Sequence, residues 1–336
     1  MNIPTISTSR SQPAGERARI AVGLINNMGD QALKSTERQF NALLSEAAPD
    51  IEVSFRIFAL KSTPRSPRAL DYINARYEPA SAATDGELDA LIITGAQPQA
   101  DRLSEEPYWE ELVELIEWAK INTASTILSC LAAHAGVLHL DGVERRPLLE
   151  KCTGVFAFAA KTTHPLVGKQ GRVRLTPHSR YNGLLQSELE EAGYDILTSS
   201  PGCGVDSFVK CFGSQFVFLQ GHPEYDANSL AREYRRDMDR YLRGETERKP
   251  ARPRGYFGAG AEAELDAMER SVHEDRCAMQ IEETSIIDAR APAEARWREA
   301  AIAFYRSWIE MIANANIRTR APLNAGIDEF ASQQCL

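Results

Sequence analysis

Residues 125–136, STILSCLAAHAG, give the strongest indication of the fold class. Residues 125–129 predict a strand that ends at Cys130, and the mostly small residues that follow can only form a short helix over 131–139. The chain therefore turns from a strand into a helix at the cysteine. A turn of this kind lifts one side chain out of the end of a sheet, so it predicts both an α/β architecture and a candidate nucleophile.

Strands and helices alternate on both sides of this stretch. The strand predictions cover residues 20–25, 51–60, 88–94, 172–176, 195–199, 206–212 and 215–219, and the helix predictions cover 32–44, 108–120, 226–243 and 297–312. This alternation predicts an α/β fold with a doubly wound, mostly parallel sheet flanked by helices. We expect a single domain over residues 19–315, with a flexible N-terminal tail at 1–18 and a C-terminal tail at 316–336.

Composition and charge exclude several classes of protein. The chain has 336 residues, a net charge of −9, 43% apolar and 25% charged residues, which is typical of a soluble folded protein and not of a disordered one. The negative charge argues against a nucleic-acid partner, and no apolar run approaches the length of a membrane span. The polar N-terminal segment lacks the apolar core of a secretory signal, so we expect a cytoplasmic protein.

Most of the negative charge lies in one segment. Residues 259–294 contain ten acidic and three basic side chains, and therefore carry −7 of the net −9. The charge pattern and the many alanines favour a solvated helical excursion, which we treat as an acidic insert in the domain. The charge of the rest of the chain is close to balanced.

The six cysteines stand at positions 130, 152, 203, 211, 277 and 335. None forms a C-x-x-C pair and no export signal is recognised, so we expect no metal site, no disulfide framework, and reduced, mostly buried thiols. Cys130 differs from the others by its place at the strand-to-helix turn, although a strand-terminal cysteine can also be purely structural. There the first amides of the helix favour a thiolate, and the amide of Leu131 is placed to hold an oxyanion.

A second pair of chemically active residues follows the last predicted strand. His222 and Glu224 lie two residues apart, shortly after residues 215–219. In an extended segment, residues two apart point the same way, so the carboxylate can orient the imidazole. A thiolate activated by a histidine that a third group holds is the usual arrangement for nucleophilic catalysis. The alternative is an ordinary surface turn after a strand.

The order of a strand with Cys130 and, much later, a strand with His222 and Glu224 resembles the class I glutamine amidotransferase superfamily. Within it, the chain resembles the homoserine O-acyltransferase family. The segments that carry the resemblance are LIITGA at 91–96 with YW at 108–109, ASTILSC at 124–130, PHSRY at 177–181 and GHPEYD at 221–226. The resemblance spans residues 20 to about 256, and the helix at 297–308 resembles the closing helix of the family.

This resemblance implies a class I glutamine amidotransferase-like (flavodoxin-like) sheet and an acyltransferase domain. It implies transfer of a succinyl or acetyl group from acyl-coenzyme A to the side-chain hydroxyl of L-homoserine, in methionine-type amino-acid biosynthesis. Acyl-coenzyme A is then a co-substrate, no cofactor stays bound, and the partners are small molecules rather than nucleic acid or membrane. The resemblance leaves a homodimer open.

The functional positions of the family fall on named residues of this chain. By resemblance, Cys130 is the acyl-thioester nucleophile, His222 is the general base and Glu224 is the residue that orients it. The substrate-binding positions fall on three further residues, Lys151, Ser179 and Arg236. Each of these three also has an ordinary explanation, as a surface lysine, a turn cap and a solvated helix residue.

Departures from the family pattern leave the substrates open. The acyl choice of the family rests on the position of Gln99, where glycine leaves room for succinyl and glutamate excludes it in favour of acetyl. Gln99 has the size of glutamate without its charge. Leu131 and His134 stand where the family has tryptophan and glutamine, and His134 is either a substitute polar contact or a packed ring. We keep as alternatives the same chemistry on another hydroxy amino acid such as serine, and a glutaminase-type amidotransferase or hydrolase.

Overall fold

The computed structural model describes residues 19–274 and 284–320. The strands in these residues are β1 (Arg19–Ile25), β2 (Glu52–Ala59), β3 (Glu78–Pro79), β4 (Ala90–Ile93), β5 (Ser125–Ser129), β6 (Arg146–Ala160), β7 (Val173–Gly183), β8 (Asp195–Ser200), β9 (Gly204–Cys211) and β10 (Gln215–Leu219). The helices are α1 (Leu33–Ala47), α2 (Pro67–Arg76), α3 (Ser81–Thr84), α4 (Trp109–Asn122), α5 (Leu131–Asp141), α6 (Gln186–Glu191), α7 (Ser229–Leu242), α8 (Ala259–Glu274), α9 (Ser285–Ala289) and α10 (Arg298–Arg320). No helix in this part of the chain is both long and apolar enough to cross a membrane.

The sheet has a parallel half and an antiparallel half. Its strand order is β3-β2-β1-β4-β5-β10-β9-β8-β6-β7. The strands from β3 to β10 pair in parallel, and the pairs from β10 to β7 are antiparallel. The predicted fold class, a mostly parallel open sheet flanked by helices, is therefore confirmed.

The strands of the parallel half are buried on both faces, which is why they appear in the sequence as continuous apolar runs. In β5, Ile127 belongs to the apolar cluster that contains Phe40 of α1 and Trp308 of α10. The next residue, Leu128, belongs to the cluster on the other face, with α4 and α5. The Trp308 indole also donates to Ser125 Oγ at 2.9 Å. The two helical layers thus hold β5 in the centre of the sheet.

β5 and β10 end side by side in the middle of the sheet. They pair in parallel with Ser129 opposite Leu219, so the residues that follow each strand leave the sheet together. In open α/β sheets, sites form outside the carboxyl ends of such strands. This register places Cys130 beside the segment that contains His222.

The hairpin of β6 and β7 is largely absent from the sequence-based predictions. β6 spans 15 residues that were not predicted as a strand, and β7 extends well beyond the predicted 172–176. The first five residues of β6 are exposed, and its pairing register shifts between Pro147 and Cys152. Residues 146–153 of β6 show neither a continuous apolar run nor a regular alternation, and only residues 155–160 form an apolar run, VFAFAA. Pairing with β7 on both sides of the register shift joins the two parts into one strand.

The acidic insert has a buried apolar face. Leu265 of α8 and Ile287 of α9 are fully buried, and both belong to an apolar cluster with Leu230 of α7. Arg252 pairs with three acidic residues of α8, Glu262, Asp266 and Glu269. The expectation of a solvated excursion is therefore wrong for the apolar face of α8, because that face packs against α7.

The predicted tails fall mostly outside the described residues. This applies to residues 1–18 and 321–336. α10 continues to Arg320, so a helix occupies residues 316–320 of the segment predicted as a C-terminal tail.

Candidate active site

Cys130 lies on a strained turn between β5 and α5. Its backbone has φ 54° and ψ −113°, and no other non-glycine residue in the described part of the chain has a positive φ. Such a conformation costs about 1–3 kcal/mol and persists only where the surrounding structure enforces it. The Cys130 N–H donates to the Leu219 carbonyl at 2.7 Å, and the Cys130 carbonyl accepts from the Ala133 N–H at 3.0 Å. The turn is thus held on both sides, and it leaves the thiol half-buried at the end of β5.

The loop after β4 packs against the first residue of α5. A Cβ atom at Gly95 would lie 2.7 Å from Leu131 Cβ and 2.8 Å from Leu131 N, so the loop can approach the helix this closely only with glycine. The first N–H groups of a helix have no carbonyl partner within it. An amide in this position can stabilise an oxygen that gains negative charge next to the thiol. The oxyanion role of Leu131 stays a prediction.

His222 interacts with both Cys130 and Glu224. Its Nδ1 lies 2.8 Å from Glu224 Oε1, and its ring stacks on the Tyr225 ring with centroids 4.3 Å apart. Burial by itself disfavours the imidazolium, but the charges and hydrogen bonds of Cys130 and Glu224 prevail and raise the pKa of His222 well above its ordinary value. These interactions therefore favour an imidazolium beside Cys130 that a buried carboxylate orients.

A second buried histidine, His178, packs against the turn that carries His222. His178 Nε2 lies 3.1 Å from Asp206 Oδ1, and a Cβ atom at Gly221 would come within 2.7 Å of both atoms. Burial lowers the pKa of His178 to about 4, so its ring is neutral at physiological pH. Burial opposes the charge of Asp206, but the hydrogen bond to His178 and the charge of Arg174 hold the pKa of its carboxyl well below the usual range. This pair supports the turn that presents His222.

His134 of α5 is a packed ring. It is 2% exposed, and its Nε2 lies 2.9 Å from Gln220 Oε1. Burial lowers the pKa of His134 to about 4, which keeps the ring neutral. Of the two interpretations open from the sequence, these contacts support internal packing.

The three predicted substrate-binding residues meet two carboxylates of α7. Lys151 Nζ donates to Asp237 Oδ2 at 2.7 Å and lies 3.9 Å from Glu233 Oε2. Ser179 Oγ donates to Glu233 Oε2, and Arg236 donates twice to Asp237 Oδ1, at 2.8 and 3.0 Å. Burial opposes the charge of Asp237, but Lys151 and Arg236 lower the pKa of its carboxyl. These five residues form one polar group, which we call the Glu233–Asp237 cluster.

Glu233, Asp237 and Tyr225 are candidate site residues that the sequence analysis missed. The Tyr225 hydroxyl donates to Glu233 Oε1 at 2.5 Å while its ring stacks on His222, so Tyr225 joins the catalytic pair to the cluster. Glu233 and Asp237 are four residues apart and therefore share one face of α7. That spacing is visible in the sequence and could have singled them out.

Gln99 lies in the exposed loop that follows β4. Its backbone N–H and that of Ala100 both donate to Oε1 of the buried Glu106, at 2.7 and 3.0 Å. This carboxylate holds the loop, and Gly95 near the start of the loop contacts the start of α5. The loop therefore flanks the turn at the end of β5, and the role of Gln99 in acyl choice stays a prediction.

The described cysteines differ in oxidation state. Free thiols are found at Cys130, Cys152 and Cys203. Cys211 is disulfide-bonded, so the expectation of reduced thiols is wrong for that residue. Cys277 and Cys335 lie outside the described residues.

The comparison with known protein families decides the assignment. A family model described as homoserine O-succinyltransferase matches residues 2–317. The chain belongs to the homoserine O-succinyltransferase family. The match also runs through residues 259–294, and it confirms the resemblance to homoserine O-acyltransferases stated from the sequence motifs.

Individual relatives in this family cover nearly the whole chain. The homoserine O-succinyltransferase of Methylorubrum extorquens is 42% identical over 302 residues, which is 90% of each chain. That of Rhodopseudomonas palustris is 44% identical over 306 residues, which is 91% of this chain and 92% of the relative. Among solved structures, a glutamine amidotransferase from Thermotoga maritima covers 89% of this chain and 99% of its own, with 11% identity and a TM-score of 0.44.

Proposed function

We propose that this homoserine O-acyltransferase moves a succinyl group from succinyl-coenzyme A to the side-chain hydroxyl of L-homoserine, through a thioester on Cys130. The observation that carries the mechanism is the contact of Cys130, on its strained turn, with a histidine that Glu224 orients. The family match and the names of the relatives support homoserine as the acceptor and succinyl as the acyl group. The reaction then belongs to methionine-type amino-acid biosynthesis.

In the first half-reaction, the Cys130 thiolate attacks the thioester carbonyl of the donor. A carbon–sulfur bond to Cys130 forms, and the carbonyl oxygen gains negative charge beside the Leu131 N–H. The bond to the sulfur of coenzyme A then breaks, and the imidazolium of His222 gives its proton to the departing thiolate. One thioester replaces another, so the products are the acyl-enzyme and free coenzyme A.

Acylation changes the protonation state of His222. The charge of Cys130 helps to raise the pKa of His222, and that charge is gone once the sulfur carries an acyl group. The pKa of His222 therefore falls, and the neutral ring can act as a base in the second half-reaction. It removes the proton of the homoserine hydroxyl while the oxygen attacks the acyl carbon, and the Cys130 sulfur leaves.

The Glu233–Asp237 cluster offers groups for an amino-acid acceptor, which carries a carboxylate and an ammonium group. The Arg236 guanidinium is about half exposed and can present two N–H groups to a carboxylate, a geometry that lysine cannot match. Glu233 supplies a carboxylate for the ammonium group, and Lys151 and Ser179 hold that carboxylate in place. We assign the two ends of homoserine to Arg236 and Glu233 on this basis.

The test measures two quantities on the full chain: the covalent acylation of the protein and the release of coenzyme A. Succinyl-coenzyme A alone should increase the intact mass by one succinyl group, and homoserine should then remove it. Cys130→Ala should show neither the adduct nor thiol release, whereas the matched thiol variant Cys203→Ala should show both. If the unaltered chain forms no adduct and releases no thiol with either succinyl- or acetyl-coenzyme A, the proposal is wrong.

Acetyl-coenzyme A is the second candidate donor, because Gln99 has the bulk of the glutamate that favours acetyl in the family. Parallel measurement of kcat/KM with the two donors decides between them. A higher kcat/KM with acetyl-coenzyme A would change the assigned acyl group from succinyl to acetyl and leave the thioester mechanism intact. A panel with serine beside homoserine tests the alternative acceptor in the same way.

A further inference from the structure

A groove of about 270 Å³ opens beside the Glu233–Asp237 cluster. Its walls come from the start of β6, the end of β7, the end of α7 and residues 246–251. Lys151 and Asp237 belong to both the cluster and the groove, so the two are continuous. The other side chains that matter here are Leu149, Tyr181, Arg240, Arg248 and Lys249.

The groove is positive in a chain whose net charge is −9. Four cations line it, against two carboxylates. Lys151, Lys249 and Arg240 are paired with carboxylates, at 2.7, 2.8 and 3.3 Å. Arg248 instead donates to the Leu149 carbonyl at 3.3 Å and has no carboxylate partner among the described residues. Arg248 is therefore the one cation of the groove without a carboxylate partner in the described part of the chain, and such a guanidinium attracts anions.

A short series of contacts leads from the groove to the catalytic histidine. Lys151 Nζ lies 3.9 Å from Glu233 Oε2, and Glu233 accepts from the Tyr225 hydroxyl at 2.5 Å. The Tyr225 ring in turn stacks on His222. A long, flexible donor that is anchored in the groove can therefore extend its thioester toward Cys130.

We propose that this groove binds the phosphate groups of the coenzyme A donor, with Arg248 as the principal contact. The inference rests on the proposed function. Arginine can contact two phosphate oxygens at once, which favours Arg248 over the paired lysines for this role. Tyr181 and Leu149 are 62% and 93% exposed, and they offer apolar surface in the same groove for the adenine ring.

Arg248→Ala tests the groove when it is assayed with donors that do and do not carry phosphate. In the full chain, the KM for succinyl-coenzyme A should rise about tenfold, with kcat and the KM for homoserine unchanged. Succinyl-pantetheine has the thioester arm but no phosphate, so the variant and the unaltered chain should use it equally well. The matched control Arg290→Ala removes an arginine that binds Glu264 near α9, and it should change none of these values.

The outcomes separate this inference from the proposed function. An unchanged KM for succinyl-coenzyme A in Arg248→Ala, or an equal rise with both donors, overturns the groove assignment and leaves the proposed function intact. If the unaltered chain transfers no acyl group from either donor, the proposed function fails, and equilibrium binding of coenzyme A still tests the groove. About tenfold weaker binding to Arg248→Ala then supports the assignment, and equal binding overturns it.

A separate group of chemically active side chains lies where β6, β7 and the start of β9 meet. The Sγ atoms of Cys152 and Cys203 and a ring nitrogen of His178 all lie within 4.8 Å of one another. Arg180 Nη2 is 3.6 Å from Cys203 Sγ, and Arg180 Nε donates to His178 Nδ1 at 3.3 Å. The other nitrogen of His178 is engaged by Asp206. Because the guanidinium would repel a metal cation, the group favours a thiolate.

We propose that Cys152 and Cys203 form a disulfide when the chain meets hydrogen peroxide. The Cys152 thiol loses its proton, the thiolate attacks one peroxide oxygen, and the O–O bond breaks. The departing hydroxide takes up that proton, so a sulfenic acid and one water result. The Cys203 sulfur then attacks the Cys152 sulfur, the S–O bond breaks, and a second water leaves. Two thiols and one peroxide thus give one disulfide and two waters. The hydrogen bond with Cys203 and the charge of Arg180 lower the pKa of Cys152 against the effect of burial, which favours Cys152 as the attacking thiol.

Peptide mapping without reductant tests the thiol pair. The parent protein is Cys130→Ala, so that the catalytic thiol does not react with the peroxide. After one equivalent of hydrogen peroxide, the peptides with Cys152 and Cys203 should be linked, and dithiothreitol should separate them. When Cys203→Ser is combined with Cys130→Ala, the same treatment should give no disulfide-linked peptides. Absence of the link in the parent protein, or stoichiometric zinc binding that blocks it, overturns the proposal.

Discussion

Replacing Glu224 with glutamine removes the charge of this residue and keeps its shape. Glu224 Oε1 lies 2.8 Å from His222 Nδ1, and both residues are 4% exposed. The Tyr225 ring stacks on the imidazole, so it should keep the His222 ring in place in the variant that lacks the Glu224 charge. A hydrogen bond to a charged group contributes about 1.5–3 kcal/mol, and Glu224→Gln should lose that much stabilisation of the imidazolium. This corresponds to a roughly 10- to 150-fold lower kcat/KM, with the KM for succinyl-coenzyme A little changed.

The pH profile of the first half-reaction gives a second readout with a defined sign. Burial opposes the imidazolium, but the charges of Cys130 and Glu224 raise the folded-state pKa of His222 above its ordinary value. Coenzyme A release needs the imidazolium, so its rate falls as the pH rises through that pKa. Loss of the Glu224 charge lowers the pKa of His222, and the fall in rate should therefore move to lower pH in Glu224→Gln.

The assay is a single turnover of succinyl-coenzyme A with excess enzyme, in which thiol release is followed as a function of pH. Asp141→Asn is the matched control, because its carboxylate binds Tyr194 and Lys210 at the last residue of α5. That position is about 16 Å along the helix from Cys130. A Glu224→Gln variant with an unchanged kcat/KM and an unshifted pH profile would refute the orienting role of Glu224.

Three further substitutions test the packing and charge around the site. Gly95→Ala should lower kcat at least about tenfold and also lower the Tm, because the new Cβ would lie 2.7 Å from Leu131 Cβ and 2.8 Å from Leu131 N and displace the proposed oxyanion amide. Lys151→Met removes the cation paired with Asp237, so the free energy of unfolding measured in urea should fall by about 1–3 kcal/mol and the KM for homoserine should rise. Leu265→Ala truncates a fully buried side chain of α8 and should lower the free energy of unfolding by about 2–5 kcal/mol, with activity retained at low temperature. Unchanged stability in this last variant would contradict the packing of α8 on α7.

The parallel half of the sheet and the catalytic turn were predictable because their signals are local. Strands that are buried on both faces are continuous apolar runs, and they can be recognised without knowing their partners. Cys130 directly follows such a run and precedes a helix, and His222 and Glu224 are separated by a single residue. Their neighbours in the chain are enough to predict a nucleophile and an oriented base. The sequence did not show that β5 and β10 pair in parallel, the register that brings the two segments together.

The family, the strand-to-helix turn and the chemistry available at that turn were therefore evident from the order of residues in the chain. Which distant residues share a site depends on the packing of separate elements. The first half of β6 has exposed residues and a register shift, so no side-chain pattern marks that half, and its pairing with β7 is a long-range backbone interaction. That pairing, together with the packing of α7, brings Lys151 and Ser179 to Glu233 and places Arg248 in the adjoining groove, where no carboxylate of the described residues pairs with it. Such contacts join elements that are far apart in the chain, so the local sequence around each residue does not specify them.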